Sequence, residues 1–263
     1  MPGQILKNLL FHPDVRDIDI NAPETILRHA RLIRKKEFLK QLYDEWYRSI
    51  LQTIPLDAPG IVVELGSGGG FIHEINPSVF TTDILKAPDL DAVLDAGNLP
   101  FKGQSLKAIV MVDVLHHLPR VREFFREAAR CIKTEGSIVM IEPWNTLWSQ
   151  WIYRRFHREP FEPKVRNWRI LNVGPLTGSN QALPWILFDR DREQFNNEFP
   201  EWSLDNLQLH SPFSYLISGG VSIRSLLPGK FFRICREIED LLVPLMPKLA
   251  MFATIRLIRT PIK

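Results

Sequence analysis

The chain has 263 residues, of which 45% are hydrophobic and 24% charged, an ordinary balance for a globular protein with a full-sized core. Its formal net charge of +3 is too small to predict nucleic-acid binding, and no nucleic-acid partner is expected. The two cysteines, Cys131 and Cys235, lie far apart and outside any Cys-x-x-Cys pair, which predicts neither a metal site nor a disulfide. The N-terminus lacks the basic and apolar stretches of a signal peptide, and no apolar run reaches the roughly 18 residues of a membrane span. A cytoplasmic location is therefore expected.

Residues 1–58 precede the first predicted core strand and are expected to form an N-terminal helical cap. Apolar residues at three- and four-residue spacing predict a helix from Pro23 to about Leu51. Cations crowd its first half, which is typical of a solvated face and also of a helix that lies on a membrane or an anionic ligand. The second half carries three aromatic residues that either pack inside the protein or cover a cofactor: Tyr43, Trp46 and Tyr47.

Residues 61–71 read Ile-Val-Val-Glu-Leu-Gly-Ser-Gly-Gly-Gly-Phe, a buried strand followed directly by a glycine-rich loop. Glycine at this density lets the backbone turn tightly and lets a ligand lie against it. Strand, glycine loop and helix in this order begin a nucleotide-binding doubly wound sheet. Phe71 replaces the third glycine of a dinucleotide fingerprint, and no Gly-Lys-Ser or Gly-Lys-Thr of a P-loop is present. Glu64, two residues before Gly66, would suit a positively charged ligand.

Acidic residues lie at the ends of the next two predicted strands. The strand over residues 79–84 ends at Asp83 and Ile84, where an acidic side chain can accept hydrogen bonds from both hydroxyls of a ribose. A short strand over residues 92–96 leaves Asp95 at its tip. Because carboxyl ends of parallel strands meet at one edge of a sheet, both acids are expected beside the glycine loop.

Two longer predicted strands carry further polar residues. The strand over residues 108–115 is apolar throughout except Asp113, and it runs into His116 and His117. A fifth strand over residues 137–144 places Glu142 near its end.

Over residues 61–144, four motifs in order resemble those of class I S-adenosylmethionine (SAM) methyltransferases, in particular the subgroup that includes ubiquinone and menaquinone methyltransferases. The motifs are Glu64-Leu65-Gly66-Ser67-Gly68, the strand ending in Asp83, Asp95-Ala96-Gly97-Asn98-Leu99-Pro100-Phe101, and Asp113-Val114-Leu115-His116-His117-Leu118. The resemblance implies a doubly wound, Rossmann-like α/β fold of seven strands, mostly parallel with an antiparallel last strand. It implies SAM as cofactor and Asp95 as the partner of the adenine amino group. The cofactor-binding residues it implies are Glu64, Gly66, Ser67, Gly68, Asp83, Ile84, Asp95, Ala96 and Asp113.

Methyl transfer from SAM is an in-line displacement, so the protein must align the acceptor with the methyl group and exclude water. A base is needed only if the acceptor loses a proton. His116, His117 and Glu142 are the predicted catalytic residues because they follow strand ends, where open α/β sheets bind ligands. His116 is preferred because imidazole titrates near neutrality, although one of the two histidines can instead be structural.

The rest of the chain departs from this pattern. Residues 145–200, rich in tryptophan and arginine, are predicted to form a substrate-side insertion, or alternatively a separately packed surface subdomain. Residues 201–263 complete the core with strands over residues 204–210 and 250–258. Between them lies an apolar insertion, residues 213–248, with a helix expected from Phe231 to about Leu245. It can pack on the sheet, line a hydrophobic substrate site or touch a bilayer.

The predicted function is methyl transfer from SAM to a small-molecule or lipid-like acceptor, with peripheral membrane contact as one possibility. An NAD-dependent oxidoreductase is an alternative that Phe71 disfavours. A non-catalytic SAM-fold partner subunit is another, which has no need of both Asp83 and Asp95. A nucleic-acid methyltransferase is disfavoured because Glu142-Pro143-Trp144 stands where an Asn-Pro-Pro-Tyr type motif belongs. The acceptor, the choice among O-, N- and C-methylation and the oligomeric state stay open.

Overall fold

A computed structural model describes residues 23–55, 59–157, 159–170 and 178–261. Its strands form one seven-stranded sheet in the order β3-β2-β1-β4-β5-β7-β6. The pairs from β3 through β5 are parallel, and β7 is antiparallel to both β5 and β6. This confirms the predicted Rossmann-like sheet with its antiparallel end. The strands are β1 Ile61–Leu65, β2 Val79–Asp83, β3 Ala92–Val93, β4 Leu106–Val112, β5 Ile132–Pro143, β6 Trp202–His210 and β7 Phe252–Arg259.

Helices pack on the sheet, and two of them precede β1 in the chain. They are α1 Pro23–Lys35, α2 Glu37–Gln52, α3 Ile72–Ile75, α4 Val121–Cys131, α5 Leu147–Phe156, α6 Leu183–Trp185, α7 Arg192–Glu198, α8 Ser214–Ser218, α9 Phe232–Leu241 and α10 Met246–Leu249. A π-helical segment, Ile186–Arg190, joins α6 to α7, and 3₁₀ turns cover Leu115–His117, Gly229–Phe231 and Val243–Leu245. Within the described residues, no helix combines the length and the apolar character needed to cross a membrane.

The core lies on both faces of the central strands. β4 and the second half of β5 are buried almost without interruption, as expected for strands covered by helices on both sides. Phe124 and Phe125 of α4 are fully buried, and α2 buries seven residues. Because these strands are buried along most of their length, their apolar sequence predicts the position of the sheet.

The N-terminal part of the chain forms two helices rather than the single predicted helix. Lys36 interrupts them with an extended backbone, at φ −89° and ψ 91°. Its buried ammonium group donates hydrogen bonds to the carbonyl oxygens of Gly220 and Ile223. A buried charge needs such partners, and the break in the helix lets this side chain reach them. The predicted cap also included residues 1–22 and 56–58, which lie outside the described residues.

Helix α1 lies directly on the glycine loop. A Cβ atom added to Gly69 would lie 2.4 Å from the backbone nitrogen of Ala30. This contact leaves no room for a side chain at residue 69. The N-terminal helices therefore cover the edge of the sheet at which β1, β2 and β4 end.

Candidate active site

The glycine loop is held in a conformation that L side chains rarely adopt. Gly66 has φ +66° and Gly68 has φ +49°. A Cβ atom on Gly66 would also lie 2.5 Å from a methyl carbon of Val114. The loop is tied to β2 because Ser67 N donates to Thr82 O at 2.8 Å and Thr82 N donates to Ser67 Oγ at 3.1 Å. Glycine is thus required at residue 66 by both conformation and space, and at residue 68 by conformation.

A cavity of about 590 Å³ lies beside this loop. It is bounded by the carboxyl ends of β1, β2 and β4, by α1, and by residues that follow β5. Both acidic residues predicted to face one common cavity, Asp83 and Asp95, lie on its wall. The predicted cofactor-binding residues on this wall are Gly66, Ser67, Gly68, Asp83, Ile84, Asp95, Ala96 and Asp113.

Asp83 is fixed in orientation by the backbone around it. Its Oδ2 accepts from Gly68 N at 2.9 Å and its Oδ1 from Leu85 N at 2.9 Å. Burial raises the pKa of this carboxyl group, while the backbone donors oppose the shift. A carboxylate can accept about four hydrogen bonds, so capacity for ribose hydroxyls remains.

Asp95 lies at the rim of the cavity rather than inside it. Its Oδ2 accepts from Arg120 Nη2 at 2.9 Å, and both side chains are about half exposed. Its Oδ1 accepts from Gly97 N at 2.8 Å. An exposed pair of this kind contributes little stability, so its effect is to orient the carboxylate beside Ala96.

Glu64 lies behind the glycine loop and does not line the cavity. Its side chain is buried and bonded to Ser67 and Tyr47, while its Oε2 has no partner within the described part of the chain. Burial raises the pKa of Glu64 to about 7. Glu64 is therefore placed to support the glycine loop from behind rather than to contact a ligand in the cavity.

His116 is fully buried between two carboxylates. Its Nδ1 lies 2.8 Å from Glu142 Oε2 and its Nε2 lies 3.2 Å from Glu159 Oε2. Burial alone would lower the pKa of His116, but the bonds to Glu142 and Glu159 outweigh it and raise this pKa well above its usual value. With both ring nitrogens occupied, His116 is an imidazolium behind the cavity wall.

Glu142 anchors the turn that follows β4. Its Oε1 accepts from Val114 N at 2.8 Å and from Leu115 N at 2.6 Å, while its Oε2 bonds His116. The side chain is fully buried and does not reach the cavity. Its geometry is that of a positioning residue.

Of the two adjacent histidines, His117 lines the cavity and His116 does not. Its Nε2 lies 3.7 Å from Glu159 Oε2, and its ring centre lies 4.2 Å from that of His116. Burial, with the charge of His116, lowers the pKa of His117 to about 4, so its ring is neutral at neutral pH. Burial works against ionisation of Glu159, but the surrounding histidines hold its pKa well below the usual range.

The same cluster has the spacing of a small cation site. Among the described residues, His116, His117 and Glu159 bring one potential ligand atom each within 4.8 Å of one another. The hydrogen bonds of His116 to two carboxylates already account for this spacing. The cluster is therefore complete as an ion-pair network.

Several residues of this site were not predicted from the sequence. Glu159 lies after β5, where Gln181 Nε2 donates to it at 3.3 Å. The sequence signal for Glu159 is weak, because Glu159 and Glu162 each precede a proline in the same basic, aromatic segment. From the N-terminal helices and the apolar insertion, the unpredicted cavity residues include Thr25, Ile26, His29, Ile33, Val221 and Ser222.

Comparisons with known proteins agree with this geometry. Residues 63–140 match the family model described as a methyltransferase domain. The match runs from β1 into β5 and includes the glycine loop and the ends of β2 and β4. The chain therefore carries a methyltransferase domain over these residues, and it is a SAM-dependent methyltransferase.

Solved structures show the same fold at low sequence identity. One chain, from the complex between the Haloferax volcanii Trm112 methyltransferase activator and a methyltransferase, is 12% identical with a TM-score of 0.54, covering 93% of this chain and 99% of that chain. Geranyl diphosphate C-methyltransferase from Streptomyces coelicolor A3(2), solved with Mg²⁺, geranyl diphosphate and S-adenosyl-L-homocysteine, is 14% identical with a TM-score of 0.53, covering 88% and 84%. No curated protein matches the sequence.

Proposed function

We propose that this enzyme transfers the methyl group of SAM to a small-molecule or lipid-like acceptor that loses a proton in the reaction. The observation that carries the proposal is geometric: His117 lies on the wall of the cofactor cavity with its Nε2 3.7 Å from Glu159 Oε2. A neutral imidazole can accept a proton, and a carboxylate beside it stabilises the imidazolium that forms.

The cofactor end of the cavity is assigned to residues that suit each part of SAM. Asp83 accepts from the ribose hydroxyls, and Asp95 with Ala96 binds the adenine edge. Asp113, whose pKa burial raises to about 7, faces the positively charged methionine part as a carboxylate. When bound, SAM supplies a methyl group activated by the sulfonium. The chain's own residues orient it and exclude water.

We assign the proton-accepting role to His117 rather than to His116. Both nitrogens of His116 are occupied, and its ring does not reach the cavity. His116 and Glu142 instead hold the turn that carries His117. This divides the three predicted catalytic residues into one that meets the acceptor and two that position it.

We propose that part of the acceptor is apolar. The reason is the set of side chains that line the rest of the cavity. Residues 145–200 contribute His157, Glu159 and Pro160, and residues 213–248 contribute Val221 and Ser222. The cap contributes the side chains of Ile26, Ile33, Tyr43 and Tyr47. These walls support a substrate-side role for both insertions, and an acceptor of the quinone, isoprenoid or related lipid-like type. We propose that the enzyme acts on this acceptor from the cytoplasm.

Incubating the enzyme with isotope-labelled SAM and fractionated lipid or small-molecule extracts tests this function. Label should enter an organic-soluble product, and the Asp83→Ala variant should abolish that transfer. Geranyl diphosphate is a defined first probe, since the S. coelicolor structure holds it. A thermal-shift series with SAM, S-adenosyl-L-homocysteine and NAD separates the alternatives. Stabilisation by NAD and not by SAM would overturn the assignment.

A further inference from the structure

Helix α9 exposes a stripe of large apolar side chains to solvent, which is unusual for a helix at a protein surface. Ile234, Ile238 and Leu241 are 53%, 51% and 81% exposed and recur at four- and three-residue spacing. A surface helix normally turns such a stripe toward the core. We call the exposed set around it the outer apolar face. Its members are Leu226, Phe231, Ile234, Ile238, Leu241, Val243 and Leu245.

The inner side of α9 is held by buried charged groups as well as by apolar packing. Arg236 makes two hydrogen bonds to Glu45 of α2, at 2.6 and 3.1 Å, and also pairs with Glu239. Glu239 is 1% exposed and accepts from the backbone nitrogens of Phe213 and Ser214. These buried contacts fix the helix on the protein, so the outer apolar face is not required to hold it there.

This face is continuous along the chain with the cavity wall. The segment that leads to it contributes Val221 and Ser222 to the cavity, and Lys36 fixes that segment through Gly220 and Ile223. Helix α5, which packs on α10 just after Leu245, adds exposed Leu147 and Trp151. Tryptophan is enriched at the membrane–water interface.

The charges around the outer apolar face are predominantly positive. Four exposed cations lie in residues 224–248, against two exposed acids, Glu237 and Asp240. The cations are Arg224, Lys230, Arg233 and Lys248. An excess of cations beside an apolar stripe complements the anionic head groups of a bilayer.

We propose that the outer apolar face inserts into the surface of an anionic lipid bilayer. Aliphatic side chains enter the interfacial region, and the flanking cations contact phosphate groups. This binding does not depend on methyl transfer. Only the purpose of the binding rests on the proposed function, because a lipid-like acceptor would reach the cavity from the bilayer.

Vesicle co-sedimentation of the full chain tests the proposal. The protein should bind vesicles that contain phosphatidylglycerol, and bind phosphatidylcholine vesicles more weakly. The double variant Ile238→Glu/Leu241→Glu should lose about ten-fold or more of its vesicle affinity, because two charges would enter the apolar interface. Val93→Glu, which changes a 53% exposed residue on strand β3, is the matched control and should bind as wild type.

Two further measurements keep the result decisive. SAM affinity and thermal unfolding of the double variant should match wild type, which separates failure of membrane binding from failure of the methyltransferase site. Wild-type protein that ignores both kinds of vesicle would overturn the proposal. A wild-type dimer by light scattering that the double variant converts to a monomer, without any vesicle binding, would assign the face to a second copy instead.

Discussion

His116 Nδ1 and Glu142 Oε2 lie 2.8 Å apart, with both side chains fully excluded from solvent. The bond joins the turn after β4 to the end of β5, and Glu142 uses its other oxygen for two backbone nitrogens of the same turn. Two neighbouring strand ends are thereby fixed relative to each other. The position of His117 in the cavity depends on this link.

Replacing Glu142 by alanine should destabilise the protein strongly. The substitution would leave the imidazolium of His116 with one carboxylate fewer and two backbone N–H groups without an acceptor. Removing one partner of a buried pair costs about 3–5 kcal/mol. Chemical denaturation of Glu142→Ala and Glu142→Gln measures this, and glutamine should keep part of the lost stability. A loss under about 1 kcal/mol in the alanine variant would contradict the anchoring role.

Replacing His117 by alanine should lower turnover without removing the cofactor. General-base catalysis contributes about 10²- to 10⁴-fold, so kcat should fall by that order. SAM affinity by calorimetry should change by less than about three-fold, or 0.7 kcal/mol. His73→Ala, on α3 and outside the cavity wall, is the control. Unchanged kcat in His117→Ala would show that the enzyme works by alignment alone.

Replacing Asp83 by asparagine should weaken SAM binding. The amide keeps an acceptor for Gly68 N but loses charge-assisted bonds to ribose hydroxyls, worth about 1.5–3 kcal/mol, or about ten- to hundred-fold in Kd. Calorimetric titration measures the change. Asp89→Asn, at an exposed residue of the segment between β2 and β3, should leave Kd as in wild type. Equal affinities for the two variants would remove the ribose assignment.

Stability without SAM should depend on pH through Glu64. The pKa of its carboxyl group is raised by burial to about 7, against about 4.3 for an unperturbed glutamate. The folded state therefore holds this proton more tightly than the unfolded state. Its stabilising effect is complete below about pH 4 and is lost as the pH rises through 7.

Glu64→Gln removes this dependence. As the pH rises from 4.5 to 8, the free energy of unfolding of the variant relative to that of wild type should increase by about 1–3 kcal/mol, as measured by urea unfolding. Saturating SAM, whose positive charge favours the carboxylate, should narrow that difference. Parallel stability curves across this pH range would show that Glu64 is not protonated in the free enzyme.

The parts of the site that follow strand ends could be predicted from the sequence. Asp83 and Asp95 were expected at one cavity because parallel strands bring their carboxyl ends together, and the sheet does so. Patterning locates such residues because local sequence sets where each strand ends.

Residues that arrive through tertiary packing could not be placed in this way. Glu159 and Gln181 follow β5 in a segment without regular periodicity, so nothing local shows that they reach His116. The helix break at Lys36 has the same origin, because its partners lie more than 180 residues away, at Gly220 and Ile223. Long-range polar contacts overrode the helical pattern here.

The glycines of the loop are restricted by two different kinds of neighbour. Gly66 and Gly68 shape the ligand side, whereas Gly69 lies against Ala30, and a Cβ atom on Gly70 would lie 2.0 Å from the hydroxyl oxygen of Tyr47. Residue 69 should therefore covary with the N-terminal helices rather than with the cofactor. In a homologue that has lost those helices, a side chain at residue 69 would be tolerated, whereas at residue 70 a Cβ atom would still lie 2.8 Å from Ser67 O of the loop itself.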